Sequence, residues 1–363
     1  MTSTVLAWAG FVGVVLALLA VDLGVFNRKA HEISIREAAR GSAITAVLAG
    51  VFAVLIWHHD LPTDIVGGPK HALEFLTGYL IELALSVDNI FVFVLIFSYV
   101  SVPPKFQHRV LFWGVLGALV FRGVMIGAGA VLIQRFEWII YVFGAFLVFT
   151  GVRMATQDEV EIHPDSNPVL RLVRRFLPVS TDYDGQKFFT REKVDGRVRR
   201  AATPLFVVLV LVETTDLIFA VDSIPAIFAV TTNPFLVFTS NVFAILCLRS
   251  LYFLLASVID RFQYLKLGLS VVLVFIGAKM LATMFHLHID TFVSLLVVAG
   301  VLIGSVVLSL LRPPKPEVLE KIHALEEGGV HPGGGAPPAA SAAATPSQGP
   351  DTDDLPRRKA GGA

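Results

Sequence analysis

The feature that most constrains this chain is a series of long apolar stretches, at residues 4–26, 42–57, 73–99, 110–133, 137–154, 204–230, 235–256, 264–284 and 290–311. There are about nine, each near the ~20 residues a helix needs to cross ~30 Å of hydrocarbon, the second being short. Inside a bilayer each backbone group must be satisfied without water, so helices are the expected spanning form. The 363 residues are 55% hydrophobic and only 16% charged, and the mean hydropathy is +0.72. That is too apolar for a soluble domain of this size. The expected fold class is therefore an all-α polytopic membrane protein. A formal net charge of zero gives no reason to expect a nucleic-acid partner. The single cysteine, Cys247, lies in an apolar run and cannot form an intrachain disulfide; it reads as a small buried hydrophobe. The first apolar run is followed by Arg28 and Lys29 rather than a small-residue cleavage site, so it reads as a retained span. No nucleotide-binding or nucleophile motif stands out, and neither an enzyme nor a resident cofactor is expected.

The loops predict an orientation. Arg28, Lys29, Arg36 and Arg40 fall in the first loop, Lys105 and Arg109 in the third, and nine basic residues between Arg171 and Arg200 in the fifth; Arg261 and Lys266 mark the seventh. The even loops offer only Lys70 and Arg135. Basic loops stay on the cytoplasmic side, which puts the N-terminus outside and the C-terminus inside. The expected organisation is a two-helix region at 1–72, three helices at 73–154, a basic cytoplasmic loop at 155–203, three more helices at 204–284, a last span at 285–311 and a tail at 312–363. Within the basic loop, Pro168 to Leu177 suits a helix on the membrane surface. Lys187 to Arg200, with Asp195-Gly196 near its centre, suits a hairpin. The Pro-, Gly-, Ala- and Ser-rich tail reads as disordered from about Gly328.

Carboxylates interrupt two of the spans. IELALSVDNIFVFVLIF, 81–97, holds Glu82 and Asp88, and VETTDLIFAVDSIPAIFAV, 212–230, holds Glu213, Asp216 and Asp222. Glu82 and Asp88 have the spacing of Asp216 and Asp222, and Asp-Asn-Ile at 88–90 answers Asp-Ser-Ile at 222–224. An ionisable residue at membrane depth costs roughly 2.5–3.5 kcal/mol on insertion scales, so it marks a functional site by default. The repetition extends further. GALVFRGVM, 117–125, resembles FAILCLRSLY, 243–252, pairing Arg122 with Arg249; VFTGVRM, 148–154, resembles VFIGAKM, 274–280, pairing Arg153 with Lys279. Spans three to five thus repeat as spans six to eight. Three is odd, so the copies are expected to be inverted, with a site at their interface near the bilayer midplane and often with broken helices. Pro225 is the expected break in the sixth span.

AVDLGVFNRKAHEISIREA (20–38), IELALSVDNIFVF (81–93) and the run from Thr203 to Leu255 containing VETTDLIFAVDSIP resemble the TerC family of integral membrane proteins. The resemblance covers nearly everything from the first span to the ninth. The family is named for tellurium resistance. Its better understood relatives resemble manganese exporters, and it is grouped with cation transporters built on related repeats.

The residues themselves predict an oxygen-rich site. Glu82, Ser86 and Asn89 share one helical face, as do Asp216 and Ser223, with Glu213 one turn earlier. Asp88 and Asp222 sit about 120° round an ideal helix from their partners, so they join the same pocket only if the helices unwind, kink or approach closely. The expected metal ligands are Glu82, Asp88, Asn89, Asp216, Asp222 and Ser223, with Glu213 and Asn241 as further candidates. Carboxylate, amide and hydroxyl oxygens suit Mg, Ca or Mn rather than soft metals, and the resemblance narrows this to Mn²⁺. Two close carboxylates in low dielectric take up a proton when no cation is present, which would couple metal export to proton movement. Arg122 and Arg249 are candidates for structural ion pairs with the same acids. Five histidines, His58, His59, His71, His286 and His288, fall at the expected outer face, as interface residues or a metal exit vestibule, and Asp22 ends the first span. Two alternatives stay open: an oxyanion or tellurite-resistance protein using the arginines, and a membrane scaffold holding cytoplasmic stress proteins through 155–203. The orientation is directly testable. Reporter fusions after Pro62 and within 155–203 should score on opposite sides of the membrane; the same side for both would remove the nine-span arrangement.

Overall fold

A computed structural model describes residues 2–21, 33–58, 66–136, 138–156, most of 169–194, 197–256, 264–285, 287 and 289–312. Asp22, His59, His286, His288, half of the segment expected as a surface helix, Asp195-Gly196 and the tail beyond Arg312 lie outside these residues. The helices are α1 (Thr2–Val21), α2 (Ile35–Trp57), α3 (Pro69–Tyr99), α4 (Pro104–Arg135), α5 (Ile139–Thr156), α6 (Pro204–Phe228), α7 (Pro234–Leu255), α8 (Leu265–Ala282) and α9 (Thr291–Leu311). The protein is a multi-pass, helical membrane protein. Eight helices, α2 to α9, are long and apolar enough to cross a bilayer, α8 together with the 3-10 turn Thr283–Phe285. α1 carries a shorter apolar stretch, Thr4–Ala20.

Local chemistry sets the helix starts. α3, α4, α6 and α7 each begin with proline; its fixed φ suits the first turn, where its missing N–H is not needed. Ser34 caps α2 by accepting from Glu37 N–H at 3.3 Å. Asn233 caps α7 by accepting from Phe235 N–H at 3.0 Å, and Asp290 caps α9 by accepting from Phe292 N–H at 2.7 Å. Pro225 does not break α6, which runs on to Phe228. The proline lies in the last turn: it cannot donate to the Val221 carbonyl, but a kink there has little helix left to displace, since α6 ends at Phe228.

α3 and α7 form the centre: 61% and 72% of their apolar windows are buried, against 17% for α2 and for α5. α3 packs on both α6 and α7, α4 packs on the same two helices, and α5 packs along α8. An aromatic cluster of Phe11, Phe52, Phe75, Phe235 and Phe243 joins α1, α2, α3 and α7. The opposite half is closed by Phe93, Phe97, Leu111, Leu205, Leu211 and Tyr252. Lipid tails are as apolar as leucine, so close backbone approach rather than water exclusion must hold α5 to α8. Glycines permit it: a Cβ on Gly277 would lie 2.6 Å from the Gly144 carbonyl oxygen and 2.8 Å from Val148 N.

The loop before α6 carries the expected hairpin, with β1 (Phe189–Val194) antiparallel to β2 (Arg197–Ala202). It is tied to the α3–α4 turn, because Tyr183 Oη donates to the Val100 carbonyl at 2.9 Å and Arg109 donates to Gln186 Oε1 at 3.1 Å. Burial pushes the Tyr183 phenol up to about 12, so it stays a donor at neutral pH. Lys187 and Thr190 donate to Asp184 and hold its carboxyl below the usual range.

The α5–α8 contact yields a stability prediction. Gly277→Ala should lower stability by about 1–3 kcal/mol, since the new methyl meets backbone that cannot rotate away. Gly300→Ala, with nothing within 4 Å of the added carbon, should leave the thermal midpoint of the purified protein unchanged.

Candidate functional site

The centre of the site is a buried guanidinium. Arg122, from α4, is 1% exposed and reaches between α3 and α6. Its Nε donates to Asp216 Oδ2 at 3.1 Å and its Nη2 to Asp216 Oδ1 at 2.9 Å, a two-pronged pair. Its Nη1 donates to Glu82 Oε1, and to Ser223 Oγ at 3.2 Å. Glu82 is 0% exposed and Asp216 4%. Two carboxylates against one guanidinium leave this cluster one negative charge in excess, and Glu213 lies within the field of Asp216. Glu213 has room because α4 carries glycine opposite it; a Cβ on Gly117 would fall on its carboxylate.

Several buried polar atoms of the central helices have no hydrogen-bond partner among the described residues: Glu82 Oε2 and Ser86 Oγ on α3, Glu213 Oε2 on α6 and Asn241 Nδ2 on α7. Asn89, Ser240 and Asn241 are buried as well, at 1–2% exposure. Asp216 and Arg249 line an enclosed cavity of about 10 Å³, roughly the room one water needs.

Asp88 and Asp222 stand apart from this cluster. Both are half-buried. Asp222 accepts from Thr150 Oγ1 at 3.4 Å and lies in the fields of Arg153 and Asp88; Asp88 lies in the field of Lys266. Of the four repeat-related acids, Glu82 and Asp216 are thus joined through Arg122, while Asp88 and Asp222 are not part of that cluster. Both α3 and α6 are continuous helices through these positions, with no unwinding at either aspartate. Among the described residues no three His, Cys, Asp or Glu side chains converge closely enough to hold a metal ion. The Glu82–Asp216 pair instead holds Arg122.

The comparisons with known proteins bear on this arrangement. The model of the integral membrane protein TerC family matches residues 67–316, which includes Glu82, Asp88, Arg122, Glu213, Asp216, Asp222 and Arg249. The chain belongs to the TerC family. Relatives of this TerC protein include an uncharacterized membrane protein of Myxococcus xanthus, 52% identical over 84% of this chain and 92% of that one. The putative membrane-bound redox modulator Alx of Escherichia coli is 50% identical over 84% of this chain and 94% of its own length. A membrane protein of Rickettsia felis is 37% identical over 85% of this chain. No solved structure matches.

Some features of this TerC protein escape a reading of its sequence. His108 is 4% exposed in α4; α4 starts at Pro104, earlier than hydropathy places the span, so this histidine belongs to the helix and not to a loop. His71 lines a cavity of about 560 Å³ with Lys70, Glu74 and Lys279. There Lys279 donates to Ser294 Oγ at 2.8 Å.

The Arg122 cluster makes its own prediction. Asp216→Asn strips the guanidinium of its two-pronged partner, and breaking a buried pair costs about 3–5 kcal/mol. The yield of folded, membrane-inserted protein should fall, and adding Arg122→Gln should restore it. A yield unchanged by Asp216→Asn would show that the pair carries no stability.

Proposed function

We propose that this TerC protein exports a hard divalent cation, Mn²⁺ in the first instance, across the cytoplasmic membrane, with protons moving the other way. The observation that carries this reading is the placement of four carboxylates at corresponding positions of two contacting helices, at membrane depth. Evolution does not hold such groups in hydrocarbon without compensation, and here Arg122 compensates only Glu82 and Asp216. Asp88 and Asp222 lie half-buried outside that cluster, with Asp222 in the fields of both Arg153 and Asp88, and a divalent cation would add the positive charge that a guanidinium supplies to the other two acids.

The helix pairing supports an inverted repeat of three helices each, α3–α5 and α6–α8. Under an in-plane two-fold axis, α3 against α7 and α4 against α6 are the same contact, and α3–α6, α4–α7 and α5–α8 lie across the axis; all five contacts occur. The proposed ligands are Asp88, Asp222, Glu82, Asp216, Asn89 and Ser223, with Glu213 and Asn241 beside them, and the proposed orientation has the N-terminus outside.

The oxyanion reading is weaker, because Arg122 is enclosed by carboxylates rather than presented to an anion. A scaffold for cytoplasmic stress proteins would use the basic loop and hairpin, and predicts that loop changes matter more than core changes. Relatives are named as redox modulators; thiol–disulfide exchange within this chain is ruled out by its single cysteine.

Asp88→Asn and Asp222→Asn decide between these readings. Each keeps side-chain shape and removes one charge, so each protein should insert at normal levels while cellular manganese rises toward that of cells lacking the protein. Normal export from well-expressed Asp88→Asn and Asp222→Asn proteins would rule out the ligand assignment.

A further inference from the structure

We propose that Arg122 is a tethered cation that fills the Glu82–Asp216 half of the transport site when no metal is present, and that an entering divalent cation displaces it. This deepens the transport reading above and rests on it. The guanidinium uses Nε, Nη1 and Nη2 on the inward-facing oxygens of Glu82, Asp216 and Ser223. It therefore stands where an ion bound by those three residues would stand. Beside it, Glu82 Oε2 and Ser86 Oγ are buried and without a hydrogen-bond partner among the described residues. They offer oxygen atoms to an ion before the arginine has moved.

Charge explains what such an occupant accomplishes. Glu82 and Asp216 with Arg122 carry a net charge of −1. A monovalent ion replacing the guanidinium leaves that total unchanged, and it must compete with a group that is already tethered and so has little freedom left to lose. A divalent ion brings the pair to neutrality. The arginine thus selects charge +2 over charge +1 without any ligand that recognises a particular metal. It also keeps two buried carboxylates compensated in the metal-free protein, which spares them the cost of standing alone in low dielectric.

The test uses the full-length protein in lipid nanodiscs, with bound Mn²⁺ read from the loss of the free-ion electron paramagnetic resonance signal. Wild type, Arg122→Ala and Arg122→Lys are compared. Arg122→Ala should bind Mn²⁺ about tenfold or more tighter than wild type, a change of about 1.4 kcal/mol. Free guanidinium ion should then weaken Mn²⁺ binding by Arg122→Ala but not by wild type. Arg122→Lys keeps the charge and loses the planar fork, so it should fall between the two. If Arg122→Ala does not fold, the Lys variant alone decides, and tighter binding than wild type is required. Mn²⁺ binding by wild type that Arg122→Ala and Arg122→Lys leave equal or weaker overturns the inference and spares the transport reading. Guanidinium that restores thermal stability of Arg122→Ala without changing its Mn²⁺ affinity also overturns it, assigning the arginine a structural role. No Mn²⁺ binding by wild type or either variant removes both the inference and the Mn²⁺ reading. Binding by Arg122→Ala but not by wild type supports the inference.

Discussion

One guanidinium joins three helices at the centre of this protein. Arg122 comes from α4, Glu82 from α3, and Asp216 and Ser223 from α6. In water such a cluster would contribute little, because solvent competes for each group. In hydrocarbon the same groups cannot be left unpaired, so α3, α4 and α6 are obliged to meet at this level. The apolar packing on either side is permissive by comparison. Leucine and phenylalanine against neighbouring helices gain only modestly over leucine and phenylalanine against lipid. The buried polar groups therefore fix which helices are neighbours and at what register, and the glycines along α5 and α8 fix how closely the outer pair approaches.

This arrangement sorts the intramembrane acids by how their charge is met. Glu82 and Asp216 are held directly by one guanidinium. Asp88 and Asp222 are half-buried outside that cluster, in the fields of Lys266 and Arg153, with Thr150 donating to Asp222.

A good deal of this was legible in the chain itself. Apolar runs of the right length located every helix, because in lipid the backbone has one economical way to satisfy itself. Turn chemistry and alternation located the hairpin between Phe189 and Ala202. The acids were conspicuous for being charged where charge is costly. The misreadings have definite causes. Pro225 reads as a helix break from its residue type alone, but it falls in the last turn, so α6 continues past it to Phe228 with little helix left to redirect. His108 reads as a loop residue because hydropathy averages over a window and blurs the first turn of α4. The hydrogen bond from Lys279 to Ser294 was not legible at all, because it depends on α9 lying beside α8.

The sequence by itself determined the membrane-spanning helical class, the family, the matched acidic pairs and the presence of two arginines among them. These depend on local chemistry and on repetition along the chain. Only the tertiary structure decided that Arg122 sits between Glu82 and Asp216, that Asp88 and Asp222 stay outside that cluster, and that α3 and α7 lie at the centre. Those outcomes depend on how helices far apart in sequence rotate and cross. A helix's own sequence shows which of its faces is polar, but the partner that face meets is set by the requirement that every charged group in hydrocarbon find compensation at once.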